Sequence, residues 1–147
     1  MNKEELLDLI NKEGDQKEWN YKDFKCKIVR NSLKSLCGYI YLEKEDLFYN
    51  KDYNDIPVDV HGGLTYASTE GDYWVIGFDC SHSGDLSPYL LETDFSYDWL
   101  KQNMGIYRDM GYLKRECERL ADQLEVLDPA RRERKREEKI NKVLKFL

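Results

Sequence analysis

Met110, Leu113, Cys117, Leu120, Leu124 and Leu127 follow one another at alternating steps of three and four residues. Those steps put all of them on one side of an α-helix, in a stripe wide enough to cover a sheet or to pair with another helix. The spacing predicts a helix over Tyr107–Leu127. A chain that carries such a stripe must also supply an apolar surface for it to lie on.

The segments upstream supply that surface with a period of two. Phe24, Cys26 and Ile28 alternate with Lys25 and Lys27, which predicts a strand with one wet face. The run "LCGYIYL", Leu36–Leu42, is apolar enough for a central strand. Val58 and Val60 alternate with Asp59 and His61, and Trp74, Ile76 and Phe78 alternate with Tyr73, Val75 and Gly77. Between them lies "STEGD", Ser68–Asp72, read as a hairpin loop around Gly71. That loop sets Ala67 opposite Tyr73, Thr65 opposite Val75, Gly63 opposite Gly77 and His61 opposite Asp79. Val60, Leu64 and Tyr66 then share the inner face with Trp74, Ile76 and Phe78.

The fold class expected is α+β: a mostly antiparallel four-stranded sheet, covered on one face by the long C-terminal helix and by a short N-terminal helix over Asn2–Lys12. Its other face is partly open, and His61 and Asp79 point to it. Glu43–Ile56 reads as a loop, and Thr93–Asn103 as a short helix with Phe95, Trp99 and Leu100 packing inward. A length of 147 residues fits one domain, placed at 1–128. Asp128-Pro129 then breaks the helical pattern, and 129–147 reads as a charged C-terminal helical extension. Its run "RRERKREEK" and its apolar end, Ile140, Val143, Leu144 and Leu147, describe either a solvated helix or a homo-oligomer contact.

A net charge of −6 argues against general nucleic-acid binding, which needs a basic surface to displace counterions. No run approaches the ~18 apolar residues of a membrane span, and the first residues lack the pattern of a secretory signal. The expected location is the cytoplasm. The four cysteines, Cys26, Cys37, Cys80 and Cys117, form no C-x-x-C pair, so zinc-ribbon and thioredoxin spacings are excluded.

Both histidines of the chain fall between Val60 and Asp85, close to two carboxylates. His61, Asp79, His82 and Asp85 are groups that move protons or ligate metals, and Asp79, His82 and Asp85 are spaced by three. Three readings stand side by side. In the first, His61 and Asp79 make a structural cross-strand hydrogen bond, with Asp85 and Ser81 capping turns. In the second, the group is a metal-free ligand or catalytic site: His61 is a base oriented by Asp79, and His82 is the acid. In the third, the same four residues bind a divalent metal such as zinc, manganese or iron. No cofactor is certain from the pattern. Gly62 and Gly63 allow close backbone approach to a ligand. Thr65 can donate to a phosphate or hydroxyl, and Tyr39 and Tyr41 can stack on a base. The tripeptides "HGG" and "HSG" are not the H-x-[ST] pairs of 2H phosphoesterases. Alternation puts Cys80 on the apolar face, away from a nucleophile's role.

The motifs His61–Thr65 (H-G-G-L-T), Gly77–Asp79 (G-F-D) and His82–Asp85 (H-x-G-D) resemble a group of small bacteriophage proteins, across roughly Cys37–Leu124. That resemblance carries no activity, but it implies a context. A small non-structural phage protein acts on its host, including host immunity. It does so by binding or destroying a nucleotide-like messenger, or by binding a host defence protein directly.

Overall fold

The computed structural model describes residues 1–147. It is α+β, with four helices and a five-stranded, wholly antiparallel sheet of order β1-β2-β3-β5-β4. The strands are β1 (Gln16–Tyr21), β2 (Phe24–Arg30), β3 (Leu36–Leu42), β4 (Tyr66–Glu70) and β5 (Tyr73–Asp79). The helices are α1 (Lys3–Glu13), α2 (Tyr97–Met104), α3 (Met110–Leu127) and α4 (Pro129–Leu144).

The stripe on α3 lies across the sheet. Leu113, Cys117, Leu120 and Leu124 meet Phe24, Cys26, Ile28, Ile40, Ile76 and Phe78 in one buried core. Each fully buried aliphatic or aromatic side chain contributes about 1.5–3 kcal/mol relative to exposure. Gly38 lets the helix come close: a Cβ there would sit 2.6 Å from the Phe78 ring and 2.8 Å from Cys117 Sγ. Asp109 caps the helix, its side chain accepting from Tyr112 N at 2.8 Å.

Four expectations change. The fifth strand is β1, "QKEWNY", an edge strand whose polar residues hide its period. It joins β2 through Lys22 and Asp23, both at positive φ, the turn that suits a tight hairpin. Trp19 and Tyr21 reach over to Glu118 and Asp122 of α3. The hairpin β4–β5 has a two-residue turn, Gly71-Asp72, with Gly71 at φ +60°, so Glu70 faces Tyr73. "STE" is therefore strand: an edge strand wet on both faces needs no apolar alternation. An odd displacement of three residues also exchanges faces. Val58–His61 forms no strand, because the chain turns at Gly62 and Gly63, both at positive φ. Finally, α1 does not cover the sheet. Its Leu6 and Ile10 join Leu86, Leu91, Leu100 and Tyr107 in a second, smaller core.

The helix expected over Thr93–Asn103 begins only at Tyr97, after the Ser96 cap. Of its three expected inward residues Leu100 is buried, but Phe95 and Trp99 are exposed and stacked on each other at 4.1 Å. The start of α4 is fastened to the domain: Arg131 is buried against Asp46 and over the Phe24 ring. Its far end carries exposed Ile140, Val143, Leu144 and Leu147. No helix is long and apolar enough to cross a membrane.

Candidate functional site

Beyond β5 the chain folds into a loop that its own polar groups hold. Asp79 accepts from Ser81 N at 3.0 Å, and Asp85 N donates to the His82 carbonyl at 2.9 Å. Gly84 is at φ +92°. Its carbonyl accepts from Ile106 N, and Leu86 N donates to the Ile106 carbonyl, each at 2.9 Å. This short ladder clamps residues 84–86 to the segment that leads into α3. Arg108, just ahead of the Asp109 cap, and Tyr112 and Glu116, on α3 itself, then follow at steps of four and meet the loop.

Asp85 is the centre of the result. Its side chain is 2% exposed and accepts from Arg108 Nε at 2.9 Å and from His82 N at 3.1 Å. His61 Nε2 lies 2.8 Å from one of its oxygens and 2.9 Å from the other. His61 Nδ1 lies 2.7 Å from the Tyr112 hydroxyl. An ionised carboxylate only accepts, so Nε2 carries the proton and Nδ1 accepts from Tyr112. His61 N also donates to Glu116 at 2.9 Å, and Glu116 is paired with Arg119 at 2.9 Å. Gln123 and Arg119 hold Asp59 in the same way.

Electrostatics follow from these contacts. Burial pushes the Asp85 carboxyl up, but hydrogen bonds from His61, the His82 amide and Arg108 outweigh it and hold it below its ordinary value. Arg119 does the same for Glu116, against burial. Burial, with Glu116 next, pushes the Tyr112 phenol up, which keeps it a donor.

The expected partnership of His61 with Asp79 is not formed. Asp79 instead accepts from Thr65 Oγ1 at 2.9 Å and stands 3.5 Å from His82 Nδ1. His82 Nδ1 is 3.6 Å from Asp85, so His82 lies between the two carboxylates. The sequence-derived residues therefore divide into two groups. His61, Asp85 and His82 meet beside α3, whereas Asp79 and Thr65 stand at the edge of the open sheet face, with Tyr39 and Tyr41 further along it. Register causes the division: the loop around Gly62-Gly63 carries His61 to the helix side, and Thr65 N returns to the sheet by pairing with the Gly77 carbonyl at 2.9 Å.

Gly62 has a specific role. It is at φ +67°, and a Cβ there would lie 2.4 Å from the His82 ring. Gly62→Ala is expected to destabilise the protein by about 1–3 kcal/mol through overpacking and an unfavourable left-handed backbone. A urea midpoint checks this. Gly63→Ala, with open space at its Cβ, should show the backbone part alone.

The open face carries a groove of about 340 Å³ lined by Asn31, Leu33, Cys37, Tyr39, Thr65, Tyr66, Phe78, Asp79 and Ser81. It continues past Tyr39 and Tyr66 into a recess of about 170 Å³ with Lys27, Val29, Tyr41, Glu70 and Val75. Tyr66 is 42% exposed and meets Tyr39 edge-on at 5.5 Å. Tyr41 is buried and packed edge-on against Tyr73 at 5.5 Å, so it offers no face for stacking.

Sequence reasoning missed Arg108, Tyr112, Glu116, Arg119 and Gln123. Their signal was present: Tyr112, Glu116, Arg119 and Gln123 form a second row on α3, at steps of four, three and four, beside the apolar stripe. Compared with known proteins, the chain matches no protein-family model, no curated protein and no solved structure.

Proposed function

We propose that the protein is a phage accessory protein that binds a nucleotide-like molecule in the groove between Tyr66, Tyr39 and Asp79. The observation that carries this is an exposed aromatic ring, Tyr66, beside a half-buried carboxylate and an exposed hydroxyl, Asp79 and Thr65, in a groove on the open sheet face. Packing of the core needs none of them. The Tyr66 face suits a base. Asp79, Thr65, Ser81 and Asn31 suit sugar hydroxyls, and Lys27 in the adjoining recess suits a phosphate.

Binding is favoured over hydrolysis. Both ring nitrogens of His61 are engaged, by Asp85 and Tyr112, so His61 has no free position for proton transfer to a ligand. His82 is the imidazole nearer the groove, held between Asp79 and Asp85 with its other ring nitrogen left for a ligand. Counter-defence by sequestering a messenger fits this reading better than counter-defence by cleaving it.

Calorimetry with cyclic dinucleotides and ADP-ribose derivatives tests the reading. Tyr66→Ala is expected to weaken binding by about 1–3 kcal/mol, the value of one base–aromatic stack. No heat with any of these ligands would overturn it.

A second reading rests on a separate observation. The stacked, exposed pair Phe95 and Trp99 suits contact with a host defence protein. If Tyr66→Ala keeps its full effect in infected cells, this reading replaces the first. The exposed stripe at the end of α4 supports the related proposal of a homo-oligomer.

A further inference from the structure

We propose that His61, Cys80 and Asp85 form a binding site for one divalent transition metal, zinc being the ion their donor set suits best. The three come from separate segments: the Gly62 turn, the residue after β5, and the clamped loop. Their donor atoms, an imidazole nitrogen, a thiol sulfur and a carboxylate oxygen, all lie within 4.8 Å of one another. Cys80 and Asp85 are buried and His61 is nearly so. Zinc bonds of about 2.0 Å to nitrogen or oxygen and about 2.3 Å to sulfur, at tetrahedral angles, separate neighbouring ligand atoms by roughly 3.2–3.6 Å. The widest donor separation therefore exceeds a tetrahedral edge by no more than about 1.6 Å, and the 2.8 Å from His61 Nε2 to Asp85 Oδ2 is shorter than one.

The surroundings fit a metal's outer shell. Arg108 donates to Asp85 Oδ1, and Oδ2, which accepts from His82 N at 3.1 Å, keeps a second lone pair for the ion. With His61 Nε2 on the ion, Nδ1 carries the proton and donates to the Tyr112 oxygen, the outer hydrogen bond that fixes a ligating imidazole. His82 Nδ1 adds an independent observation. It is occluded from water, has no hydrogen-bond partner and stands 3.6 Å from Asp85 Oδ2. A rotation of that side chain makes it the fourth ligand. Burial, with Asp85 next, pushes the Cys80 thiol up, so the metal-free protein holds it protonated. Binding displaces that proton to solvent as the sulfur–metal bond forms. The thiolate and carboxylate then balance the two charges of the ion. Asp79, bonded to Thr65 and Ser81, stays outside the shell.

Cobalt titration of the full chain, freed of metal by chelation and without nucleotide, tests this separately from the groove. One equivalent of cobalt is expected to give tetrahedral ligand-field bands and a thiolate-to-cobalt charge-transfer band, both lost when one equivalent of zinc displaces it. Cys80→Ser should lose the charge-transfer band and Cys37→Ser should keep it. X-ray absorption on the zinc-loaded wild-type protein, which needs no variant to fold, should show one sulfur in the shell. Absence of the cobalt spectrum, a shell without sulfur, or a band that follows Cys37 would each overturn the assignment.

Discussion

Replacing Asp85 by alanine is expected to lower the unfolding free energy by about 3–5 kcal/mol, the cost of removing one partner from a buried charged network. The loss falls toward the lower end, because Arg108 is 26% exposed and recovers water once its partner is gone. His61 loses its proton acceptor, and the His82 amide loses its own. Urea unfolding followed by tryptophan fluorescence measures the change. A variant within about 1 kcal/mol of the parent would place Asp85 among ordinary surface pairs and sink this account.

The same network sets a pH dependence. The folded protein holds the carboxyls of Asp85 and Glu116 below their ordinary values. The unfolded chain therefore takes up their protons first as pH falls. The stability they contribute is complete above the unfolded carboxylate range, about pH 4, and is lost as pH falls through the lower folded values. Unfolding free energy should drop steeply below that range, and Asp85→Ala should drop less steeply.

Asp46→Ala is the second large effect, again about 3–5 kcal/mol. Asp46 has a side chain 1% exposed and bonds Arg131 Nε at 2.9 Å, Arg134 Nη2 at 2.7 Å and Glu43 N at 2.7 Å. Arg131 is 4% exposed, stands 3.7 Å over the Phe24 ring and donates to the Asp23 carbonyl. Without the carboxylate, two guanidinium groups remain next to the core with one acceptor fewer. Helix α4 should detach before the sheet unfolds, so limited proteolysis between 129 and 139 should precede global unfolding. Equal resistance of variant and parent to trypsin would contradict the proposed anchor.

The anchor lies outside what the sequence could reveal. "RRERKREEK" reads as a solvated run, and most of it is exposed. Arg131 is buried because the "EKED" turn brings Asp46 beneath it, a contact across 85 residues. Charge composition cannot say which member of a run meets a buried acid. Phe95 and Trp99 illustrate the opposite error: Phe95 lies ahead of the Ser96 cap, outside the helix, and Trp99 is on the exposed side of α2, whose buried face Leu100 fills.

Local periodicity did determine the α+β class, β2, β3, β5 and α3, since steps of two and of 3.6 place apolar atoms on one side whatever the rest of the chain does. It also marked His61, His82 and Asp85 as neighbours in one region. Pairing was decided in three dimensions. A glycine at positive φ shortened the hairpin loop to two residues and moved β4 by an odd number, which took Asp79 from His61. The clamp between Gly84 and Ile106 brought Asp85 to Arg108, and packing of α3 brought Tyr112 and Glu116 to His61. Hydrogen bonds between residues 23 to 55 positions apart have no trace in a local pattern, because they depend on where whole elements come to rest.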